Sequence, residues 1–182
     1  MRTDIKLTYE EYRLLPETGP RYQLVDGELL QMTAPIIWHQ RMAARLFSAL
    51  FLFVKERALG EVLFAPVDVI LSDINVFQPD IVYVSNARKK IMVRENIRGA
   101  PDLCVEVLSP STKKLDLKTK RLIYARYGVP ELWFGDADAQ TIRVFRLQED
   151  PHRAAAIFRR KDTLTTPLLP GFTLELAEVF AE

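Results

Sequence analysis

Residues 102–108 read Asp-Leu-Cys-Val-Glu-Val-Leu, a run that a strand must bury on both faces. Side chains alternate along a strand, so Leu103, Val105 and Val107 leave one face, and Asp102, Cys104, Glu106 and Leu108 the other. Both rows are largely apolar, as expected of a central strand covered on each side. Glu106 is the anomaly, because a carboxylate inside such a strand is costly without a partner or a metal.

The flanking sequence supplies the covering layers. A short helix is expected over residues 7–15, capped by Thr8 and stopped by Pro16. Asp26-Gly27 is a strong turn dipeptide and predicts a β-hairpin over residues 22–32. A long helix follows over residues 38–59, ended by Gly60. Its apolar face is Trp38, Met42, Leu46, Leu50 and Val54, widened by Phe47 and Phe51. Two strands, residues 62–71 and 77–84, are joined by the turn Ser72-Asp-Ile-Asn75. A basic loop leads to the central strand. Residues 113–127 predict a helix with Gly128 at its C-terminal cap. Strands at 131–134 and 141–147, an edge strand at 154–159 and a closing segment at 168–176 complete the chain. This order predicts a single α/β domain over residues 1–182: a central mixed sheet flanked by helices, with an N-terminal helix and β-hairpin.

Composition bounds the setting. Over 182 residues, 48% are hydrophobic and 27% charged, ordinary for a folded domain. No segment is long and uncharged enough to span a membrane. The N-terminus lacks the apolar stretch of a secretory signal. Cys104 is the only cysteine, so no internal disulfide forms. Its strand position reads as a small buried hydrophobe. A cytoplasmic location is the expectation.

Geometry then selects partners for Glu106. Asp102 shares its face but lies four residues away, about 13 Å at ~3.3 Å per residue. That is too far for one Mg²⁺ with bonds of ~2.1 Å. The second acid must come from a neighbouring strand, and Asp80 of Pro79-Asp80 is the natural donor. If the turn at residues 72–75 closes a hairpin, Asp68 lies near Pro79-Asp80. It is either a third ligand or a structural hydrogen-bond acceptor. On the following helix Leu117, Lys120, Tyr124 and Tyr127 form one stripe, so Lys120 points at the sheet. A lysine there must snorkel or meet a carboxylate. Two carboxylates and a lysine are the parts of a Mg²⁺-dependent phosphodiester-cleaving site, with the cation and the lysine stabilising charge on a phosphate.

Net charge is only +1, yet the basic residues cluster. Arg88, Lys89, Lys90, Arg94 and Arg98 stand against Glu95 alone, and six basic residues between 113 and 126 against Asp116 alone. Two readings stand: a rim that steers a polyanion, or two ordinary solvated faces. On the first, Arg88, Lys89, Lys90 and Arg94 would hold a nucleic-acid backbone. Glycine-rich phosphate loops, paired CxxC motifs and HExxH are all missing from the sequence, and two histidines are too few for a histidine-rich metal site.

These residues resemble the Uma-two family of the PD-(D/E)xK, restriction-endonuclease-like superfamily. The likeness runs from Tyr22-Gln-Leu-Val-Asp-Gly-Glu-Leu through Trp38-His-Gln and Gln78-Pro-Asp-Ile to Gly128-Val-Pro-Glu-Leu-Trp. It is sharpest in Gly99-Ala-Pro-Asp-Leu-Cys-Val-Glu-Val-Leu-Ser-Pro-Ser-Thr112 and Asp116-Leu-Lys-Thr-Lys120. The resemblance implies a restriction-endonuclease-like core with a metal held between the hairpin and the central strand. Asp80 and Glu106 would be the two acids. The superfamily's usual lysine position is Leu108 here, and the resemblance implies a lysine moved to the next helix, Lys120. Glu28 and His39 match family positions and become accessory candidates, while Gln23 stands where the family often has glutamate. The implied function is a Mg²⁺- or Mn²⁺-dependent DNA endonuclease, with RNA as the second candidate substrate and a homodimer as the default assembly. Two rivals remain: a catalytically inactive nucleic-acid-binding or regulatory module on the same fold, and a hydrolase of another phosphate ester.

Overall fold

The computed structural model describes residues 6–16, 18–109 and 113–181, apart from the Lys114 side chain. The N-terminal helix is one turn, α1 (Tyr9–Tyr12), where Glu11 accepts hydrogen bonds from the Thr8 backbone and hydroxyl at 2.7 and 3.0 Å. The expected hairpin follows as β1 (Tyr22–Val25) and β2 (Glu28–Gln31). Asp26 and Gly27 both take left-handed backbone angles, φ 48° and 82°, as a two-residue hairpin turn requires.

Helix α2 (Ile37–Glu56) buries Met42, Leu46, Leu50 and Val54. Trp38 and Phe51, expected in that face, are 40% and 36% exposed. Trp38 sits in the first turn of the helix, and Arg41 covers its ring from 5.4 Å. The helix also stops earlier than expected. Ala58 adopts the left-handed conformation at φ 50°, and Gly60 instead begins β3 (Gly60–Phe64). A Cβ on Gly60 would collide with the Val84 carbonyl oxygen.

The two long strands expected over residues 62–71 and 77–84 each divide. β3 is followed by β4 (Val69–Ser72), and β5 (Asn75–Phe77) by β6 (Ile81–Ser85). Pro66 and Pro79 sit at the breaks. Neither has an N–H to continue a ladder, so the chain leaves one sheet and enters another. A 3₁₀ helix (Asn86–Ile91), β7 (Ile97–Arg98) and the central β8 (Leu103–Val107) come next. One helical segment then runs through α3 (Lys113–Leu115), a π-helical turn (Asp116–Lys120) and α4 (Arg121–Arg126). Five strands follow: β9 (Glu131–Asp136), β10 (Thr141–Arg146), β11 (Ala156–Arg159), β12 (Thr163–Thr165) and β13 (Thr173–Glu175). The last element is α5 (Leu176–Val179).

A six-stranded sheet has the order β11-β10-β9-β8-β6-β3, with β8 and β9 parallel and the other pairs antiparallel. β8 is internal and fully buried, and β11 lies at an edge, both as expected. A five-stranded sheet, β2-β1-β5-β4-β7, carries the hairpin. The rows of β8 separate as the alternation requires. Leu103, Val105 and Val107 pack with Met42, Leu46, Leu50 and Val54 of α2. Cys104 and Leu108 pack with Ile123 and Tyr124 of α4 and with Val69, Phe77 and Ile97 of the five-stranded sheet. Each fully buried aliphatic or aromatic side chain contributes about 1.5–3 kcal/mol. Cys104 is fully buried, which pushes its thiol pKa up and keeps it unreactive. Among the described residues no helix is long and apolar enough to cross a membrane.

Candidate active site

The fold brings Asp80, Glu106 and Lys120 to one cavity of about 590 Å³. Ile81 pairs with Val105 and Val82 with Cys104, so continuing the antiparallel register by one residue sets Asp80 opposite Glu106. Opposite residues in an antiparallel pair leave the same face about 5 Å apart. The turn from Gln78 to Asp80 delivers Asp80 to the mouth, where its Oδ2 accepts the Val107 backbone N–H at 2.7 Å.

Lys120 comes from the helical segment. Its Nζ stands 3.2 Å from Glu106 Oε1 and 2.9 Å from Asp116 Oδ1. Tyr124 OH donates to the same Glu106 oxygen at 2.8 Å. All four side chains are buried. Asp116 and Lys120 lie four residues apart, the spacing of neighbours on one helix face, and the segment between them is π-helical. The Arg121 N–H bonds back to the Asp116 carbonyl, five residues earlier. Such turns recur at functional sites.

Electrostatics follow from this packing. The Glu106 pKa is raised to about 7 overall: burial is the largest cause, Lys120 opposes it, Asp116 and Asp80 add to it, and the Tyr124 hydroxyl lowers it. Burial works against the Lys120 charge, but Glu106 and Asp116 outweigh it and hold the ammonium protonated. His39, in the first turn of α2, places Nε2 3.3 Å from Asp80 Oδ2. Burial lowers its pKa, yet the Asp80 hydrogen bond and the charges of Asp80 and Glu106 leave it raised overall.

The other expected residues distribute differently. Glu28 is exposed at the hairpin turn and does not line the cavity; from the hairpin, Gln23, Leu30, Gln31 and Met32 do. Asp68 also stays outside it. Its Oδ1 accepts from Gln78 Nε2 at 2.8 Å and Tyr12 OH at 3.2 Å, a structural role. The basic residues expected to hold a nucleic-acid backbone lie past the opposite end of β6 from Asp80. The 3₁₀ helix follows β6 whereas Asp80 precedes it, a separation of about 16 Å at ~3.3 Å per residue. There Arg88 pairs with Asp102 at 3.4 Å and Lys89 with Glu61 at 3.2 Å. Lys90 and Arg94 are exposed near them. Among the described residues the cations lining the cavity are Arg21 and Lys120, with His39 titratable beside them.

Sequence reasoning missed Asp116 and Tyr124 as parts of the site. The signal was there: both lie four residues from Lys120, the spacing of neighbours on one helix face.

The donor chemistry suits a hard cation. Mg²⁺ or Mn²⁺ takes carboxylate oxygens, needs only one or two from the protein and keeps several waters. Among the described residues no group of three or more His, Cys, Asp or Glu could hold a metal ion by itself. Any bound ion would therefore complete its shell with water and substrate oxygens.

None of the curated proteins matches this chain. Among solved structures it is similar to "a putative nuclease belonging to DUF820" from Anabaena variabilis ATCC 29413. The TM-score is 0.80 at 23% identity, covering 96% of this chain and 97% of that one, a likeness of fold. The model of the Uma2 family, described as "putative restriction endonuclease", matches residues 9–177, and this chain belongs to that family.

Proposed function

We propose that this protein hydrolyses phosphodiester bonds in DNA with Mg²⁺ or Mn²⁺ as cofactor. The observation that carries the reading is the meeting of Glu106 with Lys120 at 3.2 Å, beside Asp80, in one cavity. Two separate segments spend buried charge on that meeting, a third brings the half-buried Asp80 beside it, and a core has no need of them.

Asp80 and Glu106 would hold the ion, which supplies charge stabilisation at the phosphate and a more acidic water. Val107 N–H and His39 fix the Asp80 carboxylate in place. Asp116 and Tyr124 do the same for Lys120 and Glu106. Lys120, kept protonated by its two carboxylates, would stabilise the negative charge that grows on the phosphate. Arg21 at the cavity mouth would contact a flanking phosphate. RNA has the same phosphodiester and is the second candidate substrate. A homodimer would let two sites address two strands, and a cytoplasmic location fits a DNA substrate.

Calorimetric titration of Mn²⁺ tests this reading, on the wild type and on Glu106→Ala. The expected result is binding in the wild type that is lost in the variant. If the wild type binds no Mn²⁺ either alone or with a DNA duplex present, the site is a structural charge cluster. Nucleic-acid affinity indifferent to metal would then favour a binding module on this fold.

A further inference from the structure

Each acid of the site has two oxygens, and the fold treats them differently. Glu106 Oε1 accepts from Tyr124 OH at 2.8 Å and from Lys120 Nζ at 3.2 Å. Asp80 Oδ2 accepts the Val107 N–H at 2.7 Å and stands 3.3 Å from His39 Nε2. Among the described residues no donor reaches Glu106 Oε2 or Asp80 Oδ1, and neither oxygen is among the buried atoms left without a partner. These two oxygens are open instead to the cavity that both residues line.

A carboxylate with a purely structural task has lone pairs on both oxygens to satisfy, and burial makes each unmet one costly. Here both donors fall on one oxygen, at Glu106 and again at Asp80. Tyr124 is fully buried, yet gives its hydroxyl to an oxygen that Lys120 already serves. The donors come from different elements: Lys120 and Tyr124 from the helical segment after β8, Val107 from β8, His39 from α2. This repeated one-sidedness leaves one oxygen of each acid for an ion. It also decides which ion fits. Mg²⁺ demands octahedral geometry at ~2.1 Å and fills most of its shell with water, whereas Ca²⁺ takes about six to eight oxygens at ~2.3–2.6 Å and readily uses both oxygens of one carboxylate. Mn²⁺ shares the octahedral oxygen preference of Mg²⁺. Two-oxygen ligation here would strip Tyr124 and Lys120 from Oε1, or the Val107 N–H and His39 from Oδ2, in a setting where bonds to charge are strong.

We propose that Tyr124 and His39 are positioning residues that set the metal selectivity of the site. By holding one oxygen of each acid they enforce single-oxygen ligation, and so favour Mg²⁺ or Mn²⁺ over Ca²⁺. The inference rests on the metal-dependent reading above and deepens it.

The test is calorimetric titration with Mn²⁺ and with Ca²⁺ at one pH, on the wild type, Tyr124→Phe, His39→Leu and His39→Gln. Proton competition at Glu106 weakens both ions alike, so the ratio of the two affinities isolates selectivity. The wild type is expected to bind Mn²⁺ at least tenfold tighter than Ca²⁺. Tyr124→Phe keeps the ring against Phe77, 5.1 Å between centroids, and removes one donor. Its ratio should fall at least threefold, with Ca²⁺ gaining. His39→Leu should lower the ratio in the same way from the first turn of α2, so the test does not depend on the tyrosine variant folding. His39→Gln keeps an N–H donor and should hold the ratio near that of the wild type. Purely structural side chains would give lower melting temperatures and weaken both ions equally. An unmoved ratio in the folded variants overturns the proposal, as does a wild type that binds Ca²⁺ as tightly as Mn²⁺. If Mn²⁺ binding is nonetheless lost in Glu106→Ala, the metal-dependent reading stands and only the selectivity falls. If the wild type binds neither ion, alone or with a DNA duplex, both fall.

Discussion

Replacing Lys120 with methionine removes the cation shared by Glu106 and Asp116. The three side chains are 4%, 6% and 3% exposed, with Nζ within 3.2 Å of both carboxylates. Methionine nearly fills the lysine volume, so the perturbation is loss of charge rather than a cavity. Breaking a buried ion pair by removing one partner costs about 3–5 kcal/mol. Glu106 can limit that cost by taking up a proton. Its pKa already stands at about 7 with the ammonium beside it, and losing that charge moves it higher. A carboxyl whose folded pKa is raised above its unfolded value contributes stability at low pH. That stability is lost as pH rises through the folded value. The variant should therefore lose about 1 kcal/mol at pH 5 and about 3 kcal/mol near pH 8.5, within the range for broken buried pairs. For a chain of this length 3 kcal/mol corresponds to a melting temperature lower by roughly 6–12 °C. Urea unfolding at the two pH values measures the difference. Adding Glu106→Gln should recover at least half of the loss at the higher pH, because the pair is coupled. A loss of equal size at both pH values, or no recovery in the double variant, would refute the buried-charge argument.

Other perturbations probe other parts of the account. Apparent Mn²⁺ affinity should fall about tenfold per pH unit below pH 7, because metal must displace the Glu106 proton, and level off above it; calorimetry across pH 5–8 measures this slope. Replacing Arg88 and Lys89 together with alanine should change nucleic-acid binding less than twofold, since both lie beyond the far end of β6 and already pair with carboxylates; a large loss in anisotropy titrations would restore that face as the nucleic-acid surface. Gly60→Ala should destabilise by about 2 kcal/mol or more in urea unfolding, because its Cβ meets the Val84 carbonyl and the ladder between β3 and β6 must shift.

The residues that could be read from sequence are those set by a local period. Alternation in residues 102–108 separated the two faces of β8, and Asp26-Gly27 fixed the hairpin, because each depends on near neighbours alone. Helical spacing likewise turned Lys120 toward the sheet. What sequence reasoning missed depends on where the chain goes between elements. Pro66 and Pro79 divide the two long strands and send residues 69–77 into a second sheet, a choice that no hydrophobic pattern records. The basic residues after β6 flank Glu106 in sequence, but sequence order does not say which end of the sheet they reach. Asp116 read as a counter-charge among basic residues because its four-residue spacing from Lys120 was not followed, although that spacing sets the two on one helix face and both are buried.

The central claim is a metal-dependent phosphodiesterase built on Asp80 and Glu106. Its most direct test is single-turnover cleavage of labelled DNA, duplex and single-stranded. The wild type would be compared with the double variant Asp80→Ala, Glu106→Ala, in Mn²⁺ and in EDTA. The account expects cleavage by the wild type in Mn²⁺ only, and none by a double variant whose melting shows it folded. Cleavage that survives EDTA, or that the folded double variant retains, would contradict it.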